Sequence, residues 1–166
     1  MTKLNLVFLL LVIYQLKHWF ADYPLQGKYM LGKFKGGWDW VLPLAAHCGV
    51  HMAMTFVIGM FFAKDIVTAI GLSLFDFTIH FTMDRIKASP NLLGRFKALS
   101  ANEMKAILID VPKDVTLDKK NSGEWLSFLG KYGNALKSNT YFWWALGLDQ
   151  GVHHLTHYAI IYWLVS

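Results

Sequence analysis

At 166 residues, 55% hydrophobic and 16% aromatic, with a mean hydropathy of +0.34, the chain has the length of a single domain (1–166) and the composition of a membrane protein. Its net charge of +5 does not point to nucleic acid, because Lys and Arg cluster between apolar stretches, where bilayers also place them. One cysteine, Cys48, excludes an intrachain disulfide framework and a thiolate cluster, so any metal is held by nitrogen and oxygen.

Leu4 to Phe20 is a nearly unbroken apolar run after Lys3. It resembles a signal peptide, but Trp19 and Phe20 stand where a signal peptidase needs small residues, so the reading is a retained first span. His18 and Asp22 fall at its C-terminal end. Tyr23 to Asp39 holds Pro24, four glycines, Lys28, Lys33 and Lys35, and reads as a short basic loop.

The second span runs from Trp40 to Phe62, with Pro43 in the first helical turn, where its missing N–H is harmless. His47 and His51 lie one and two turns further in. Lys64-Asp65 makes a tight polar hairpin into a third span over 66–84, which ends on Asp76, His80 and Asp84 and is followed by Arg85 and Lys87. Each of these runs is near the minimum of about 17 to 25 residues needed to cross a bilayer.

The segment 88–139 is polar and is read as a cytoplasmic helical insertion. Ser100 with Glu103 is a capping box, predicting a short helix from Asn102 to about Ile109. Gly123 to Lys137 has the pattern of an amphipathic helix, either lying in the interface or capping the bundle. Tyr141, Phe142, Trp143 and Trp144 then form an aromatic belt opening a fourth span, 142–165. The expected fold class is therefore all-α, an integral membrane four-helix bundle.

The loops after the first and third spans hold thirteen of the sixteen basic residues, whereas the opposite side holds only Lys3 and Lys64. The positive-inside rule then makes those loops cytoplasmic and puts both termini outside. In that topology the end of span one, the start of span two, the end of span three and the start of span four share one side. All seven histidines sit in those four places.

His18/Asp22 and His47/His51 are i, i+4 pairs, and Asp76/His80/Asp84 and Asp149/His153/His157 are i, i+4, i+8 series. Residues four apart lie about 40° apart on a helix and roughly 6 Å along it, so each set occupies one face. Four such faces turned inward make a metal site of His18, Asp22, His47, His51, Asp76, His80, Asp84, Asp149, His153 and His157. Imidazole with carboxylate suits zinc first, then iron or manganese, and the donors exceed one tetrahedral shell, leaving one or two ions open. Taken alone, each i, i+4 pair is as well explained by a helix-surface hydrogen bond. Asp22 and Asp84, at span ends, are also open to solvation or to pairing with Lys17 or Arg85. His154 points about 100° from His153 and reads as packing, and His157 lies roughly 12 Å deeper than Asp149 along the helix.

The segments Tyr14 to Asp22, His47 to His51, Asp84 to Lys87, Ala145 to Gln150 and His153 to Tyr158 together resemble an uncharacterised bacterial and phage membrane family, domain of unknown function 3307. The resemblance covers all four apolar segments. It implies a small multi-pass protein of the bacterial inner membrane, and no activity. By analogy the arrangement is also similar to membrane-bound metal-dependent hydrolases.

The expected function is a metal-dependent hydrolase acting at the cytoplasmic leaflet on a lipid or lipid-linked phosphate or ester. Asp84 is the expected general base, with Asp22 beside it, and Arg85 and Lys87 are placed to hold a phosphate or headgroup. Two other readings stand: a His-rich di-iron oxidase or hydroxylase, suggested by His153-His154-x-x-His157, and a non-enzymatic membrane protein with a structural metal or a host-protein partner. Membrane lipids are the expected partners, with a homo-oligomer open. A conduit is disfavoured because the outer halves of the spans are almost entirely apolar.

Overall fold

The structure, a computed structural model, describes residues 2–34, 37–89, 92 and 140–166. Four α-helices follow one another: α1 (Lys3–Asp22), α2 (Val41–Phe62), α3 (Ile66–Ala88) and α4 (Thr140–Val165), with a 3-10 helix, Met30–Phe34, between α1 and α2. There is no strand among the described residues. The chain divides into two compact units, Met1–Pro90 with Asp149–Ser166, and Asn91–Leu148. The helices expected over Asn102 to Ile109 and Gly123 to Lys137 lie outside the described residues.

Local chemistry sets the helix starts. Thr2 caps α1 by accepting from the Asn5 N–H at 3.3 Å, and Asp65 caps α3 by accepting from the Thr68 N–H at 2.7 Å. Pro43 is the third residue of α2, inside the first turn as expected. Only Ala63, Lys64 and Asp65 separate α2 from α3, which forces the two helices to pack as neighbours. The third helix runs to Ala88, one turn beyond its expected end, because Arg85 and Lys87 suit the negative end of the helix dipole. That extra turn keeps Asp84, Arg85 and Lys87 on a helix.

The α2–α3 seam has no room for a side chain at Gly59, where a Cβ would stand 2.9 Å from Ala69 Cβ and 3.1 Å from Ala69 Cα. Gly59→Ala is therefore expected to destabilise the protein by about 1–3 kcal/mol, since the obstacle includes backbone. Gly71→Ala, in α3 with nothing within 4 Å of the added Cβ, is the control and is expected to be neutral or slightly stabilising. Thermal unfolding in detergent micelles separates the two.

Polar and apolar residues are arranged opposite to those of a water-soluble domain. Leu4, Phe8, Val12, Leu16 and Trp19 of α1, Val57 and Phe61 of α2, and Val67, Ile70 and Leu74 of α3 are exposed. Lys17, His18, His47, His51, Asp76, His80, Asp84, Asp149, His153 and His157 are buried. An exterior of large apolar side chains on this scale is stable only against something apolar. The interior itself is graded. Leu10, Tyr14, Ile160, Ile161 and Leu164 form an apolar cluster with Ile58, Phe62 and Leu72 against it, and the ionisable residues occupy the other end.

Three helices, α1, α2 and α3, are long and apolar enough to cross a membrane. The fourth expected span, α4, has the length at 26 residues but is not one of those three. Asp149, Gln150, His153, His154, Thr156 and His157 lower its apolar character, and four of these six are buried. A hydropathy sum counts inward-facing polar residues as though lipid met them.

Candidate metal centre

Each helix contributes a row of polar residues one turn apart. From α1 come Tyr14, His18 and Asp22, with Lys17 beside them; from α2, His47, His51 and Thr55; from α3, Asp76, His80, Asp84 and Lys87; from α4, Asp149, Gln150, His153 and His157. The i, i+4 spacing stacks each row on one helix face, and the four rows meet. His51 and His80 ring centroids are 4.0 Å apart, His80 and His153 are stacked at 4.1 Å with planes 6° apart, and His18 lies 5.3 Å from His153 and 5.3 Å from His157.

Three of the four carboxylates are paired with lysines. Lys17 Nζ donates to Asp76 Oδ2 at 2.6 Å, Lys33 Nζ to Asp84 Oδ2 at 3.0 Å, and Lys87 Nζ to Asp149 Oδ2 at 2.6 Å. Thr55 Oγ1 also donates to Asp76 Oδ2 at 2.6 Å, and His80 Nδ1 lies 3.1 Å from Asp76 Oδ1. Burying an ionised carboxylate without such partners costs several kcal/mol. Lys17, open on sequence to pairing with Asp22 or Asp84, takes Asp76 instead. Lys33, expected in a solvated basic loop, is buried because the 3-10 helix lays it on Asp84.

Asp22 differs from the other three. Among the described residues it has no lysine within 4 Å; its partners are three imidazoles, with His51 Nε2 at 3.1 Å, His18 Nε2 at 3.2 Å and His47 Nε2 at 3.5 Å. Its side chain is 17% exposed, against 0–2% for the other carboxylates, so it sits where the interior opens. His47 Nε2 also lies 3.0 Å from Asp84 Oδ2, placing one imidazole between the two carboxylates.

Ligand atoms from four sets approach within 4.8 Å of one another: His18, Asp22 and His51; His18, His80 and His157; His51, Asp76 and His80; and Asp84, Asp149 and His153. These sets could hold a metal ion, and every residue expected as a ligand belongs to one except His47, which touches Asp22 and Asp84. Asp149 and His157, two turns apart on α4, fall in different sets. The donor chemistry fits a divalent ion, since buried ring nitrogens of His18, His47, His51, His80, His153 and His157 have no hydrogen-bond partner among the described residues.

The two residues expected to hold a headgroup both have partners, and Arg85 Nη1 is buried with no hydrogen-bond partner among the described residues. The Arg85 guanidinium carbon lies 3.7 Å from the centroid of the Trp40 ring, a cation–π contact, and Lys87 spans Asp149 and, at 3.7 Å, Asp84 Oδ1. His154 lies beside the cluster, its Nδ1 3.0 Å from Gln15 Nε2. Thr55 and Tyr14 are members that sequence reasoning missed, although each extends a quoted row by one step of four. Gln150 bridges the rows, its amide oxygen 3.1 Å from His18 Nε2 and its nitrogen donating to Asp149 Oδ2 at 3.1 Å, and no spacing rule marks it. Searches of protein-family models, curated proteins and solved structures found no match to the chain.

Proposed function

We propose that this chain is an integral membrane, metal-dependent hydrolase, built as a four-helix bundle, whose substrate is a lipid or lipid-linked phosphate or ester reached at the end of the helices where Asp22 lies. The bacterial inner membrane, outward termini and the likeness to domain of unknown function 3307 belong to the same proposal, and so does zinc as the preferred ion. The observation that carries it is Asp22: the one described carboxylate of the interior without a lysine, and the one ringed by three imidazole Nε2 atoms. That is a nitrogen-rich site with one charge, at a partly exposed position.

A divalent ion held by His18, Asp22 and His51 would supply Lewis acidity and so a usable water nucleophile near neutral pH. The chain's own part is to hold Asp22, His18 and His51 from two helices and to exclude bulk water with the apolar cluster beyond. Asp84 Oδ2 receives Lys33 and His47, each at 3.0 Å, while its Oδ1 has Lys87 only at 3.7 Å. Its role becomes that of a positioning residue: Oδ2 would orient His47, whose imidazole, 3.5 Å from Asp22 Oδ1, would be the group to take up a proton. Hydrolysis of a panel of fluorogenic lipid esters and phosphates, with zinc or manganese and then with chelator, tests this. Turnover should fall about 100-fold or more in His51→Ala and with chelator; metal-loaded protein that turns over none of the panel rules the hydrolase out.

A second reading draws on the lysines. Lys17, Lys33 and Lys87 already neutralise three carboxylates, as a non-enzymatic protein with one structural ion would need. Retained metal without turnover is the signature of that reading.

A further inference from the structure

Asp84, Asp149 and His153 lie apart from the Asp22 set in their ligands, although His47 touches both. One ligand atom from each approaches within 4.8 Å of the others. Two carboxylates alone would be a weak indication, but this group carries an independent one. Among the described residues, Asp149 is 0% exposed with no hydrogen-bond donor on its Oδ1, and His153 is 1% exposed with no partner on either ring nitrogen. A buried acceptor left without a donor is unfavourable, and an imidazole with two idle nitrogens is an available ligand.

The charges around the group say how an ion would enter. Lys33 and Lys87 balance Asp84 and Asp149, so a divalent ion added on top would leave the pocket with two excess positive charges. Lys33 is walled in, its side chain 5% exposed, whereas Lys87 is 26% exposed and reaches Asp149 from the last turn of α3. Its long stem lets the ammonium swing into water while the carboxylate stays.

We propose that Asp84, Asp149 and His153 form a second divalent-cation site, with Lys87 as the resident counter-ion that the metal displaces. Two carboxylate oxygens and one imidazole nitrogen select manganese, iron(II) or zinc over calcium, which takes oxygen ligands, and over copper(I), which prefers sulfur. With the Asp22 set occupied as well, the chain would hold two ions, His18, Asp22 and His51 keeping one and Asp84, Asp149 and His153 the other, and would supply the paired Lewis acidity of a two-metal hydrolytic site. The second site does not depend on the hydrolase reading, since its three ligands are its own.

The test is titration with Mn2+ of the full chain in micelles, read by the electron-spin signal of free Mn2+ and by elemental analysis after desalting. Wild type should bind two ions per chain, Asp149→Asn one, and Asp22→Asn one. Lys87→Met removes no ligand and should bind two, the second about 10-fold more tightly than in wild type. His153→Ala repeats the Asp149→Asn result if that variant fails to fold. One ion in wild type that Asp149→Asn retains, or unaltered binding in both Asp149→Asn and Lys87→Met, overturns the second site. An ion lost in Asp149→Asn but none in Asp22→Asn keeps this site and removes the Asp22 one instead.

Discussion

Lys17→Met should lower the unfolding free energy by about 3–5 kcal/mol, the cost of leaving one member of a buried ion pair without its partner. Lys17 Nζ sits 2.6 Å from Asp76 Oδ2, and the two side chains are 1% and 0% exposed. After the substitution Asp76 keeps the Thr55 hydroxyl at 2.6 Å and His80 at 3.1 Å, but loses the ammonium of its lysine. Met matches the lysine stem in volume, so the loss reports charge rather than a cavity. Removing the charge from both sides should restore much of the loss: Lys17→Met with Asp76→Asn is expected to be more stable than Lys17→Met alone. Denaturant unfolding followed by tryptophan fluorescence measures both, and a single variant within about 1 kcal/mol of wild type would show that Asp76 does not depend on Lys17 for its charge.

Asp22→Asn should weaken cation binding at the His18/His51 set by about 100-fold or more while leaving unfolding within about 1 kcal/mol of wild type. The two effects separate for a physical reason. Asp22 supplies the only formal charge in its ligand set, so its loss removes most of the attraction for a divalent ion. It is also the most exposed of the four carboxylates and has no lysine within 4 Å among the described residues, so its neutral isostere strands no lysine among them. A variant that unfolds instead would make Asp22 a structural hydrogen-bond hub for His18, His47 and His51.

Much of this arrangement is legible in the sequence because helical spacing is strict. The rows His18/Asp22, His47/His51, Asp76/His80/Asp84 and Asp149/His153/His157 predict one face on each helix, and the structure brings these faces into contact. The same rule carried one step further would have added Tyr14 and Thr55. What it does not yield is the pairing of charge. Lys17 is a single lysine in an apolar run, open on sequence to Asp22 or Asp84, and packing gives it to Asp76 instead. Lys33 is invisible to periodicity because it sits on five residues of 3-10 helix in a loop. Asp84, expected as the general base, has two lysines and one imidazole around it, and helical spacing says nothing of them. For α4 the polar row that builds the site is also what keeps the helix out of the group apolar enough to span a membrane.

The central claim is that this polar interior holds metal, and elemental analysis of the purified chain tests it most directly. Wild type supplied with zinc, iron or manganese and then desalted should retain at least one equivalent per chain, and Asp22→Asn should retain less. A folded wild-type protein that purifies metal-free and stays so with all three ions would contradict the account.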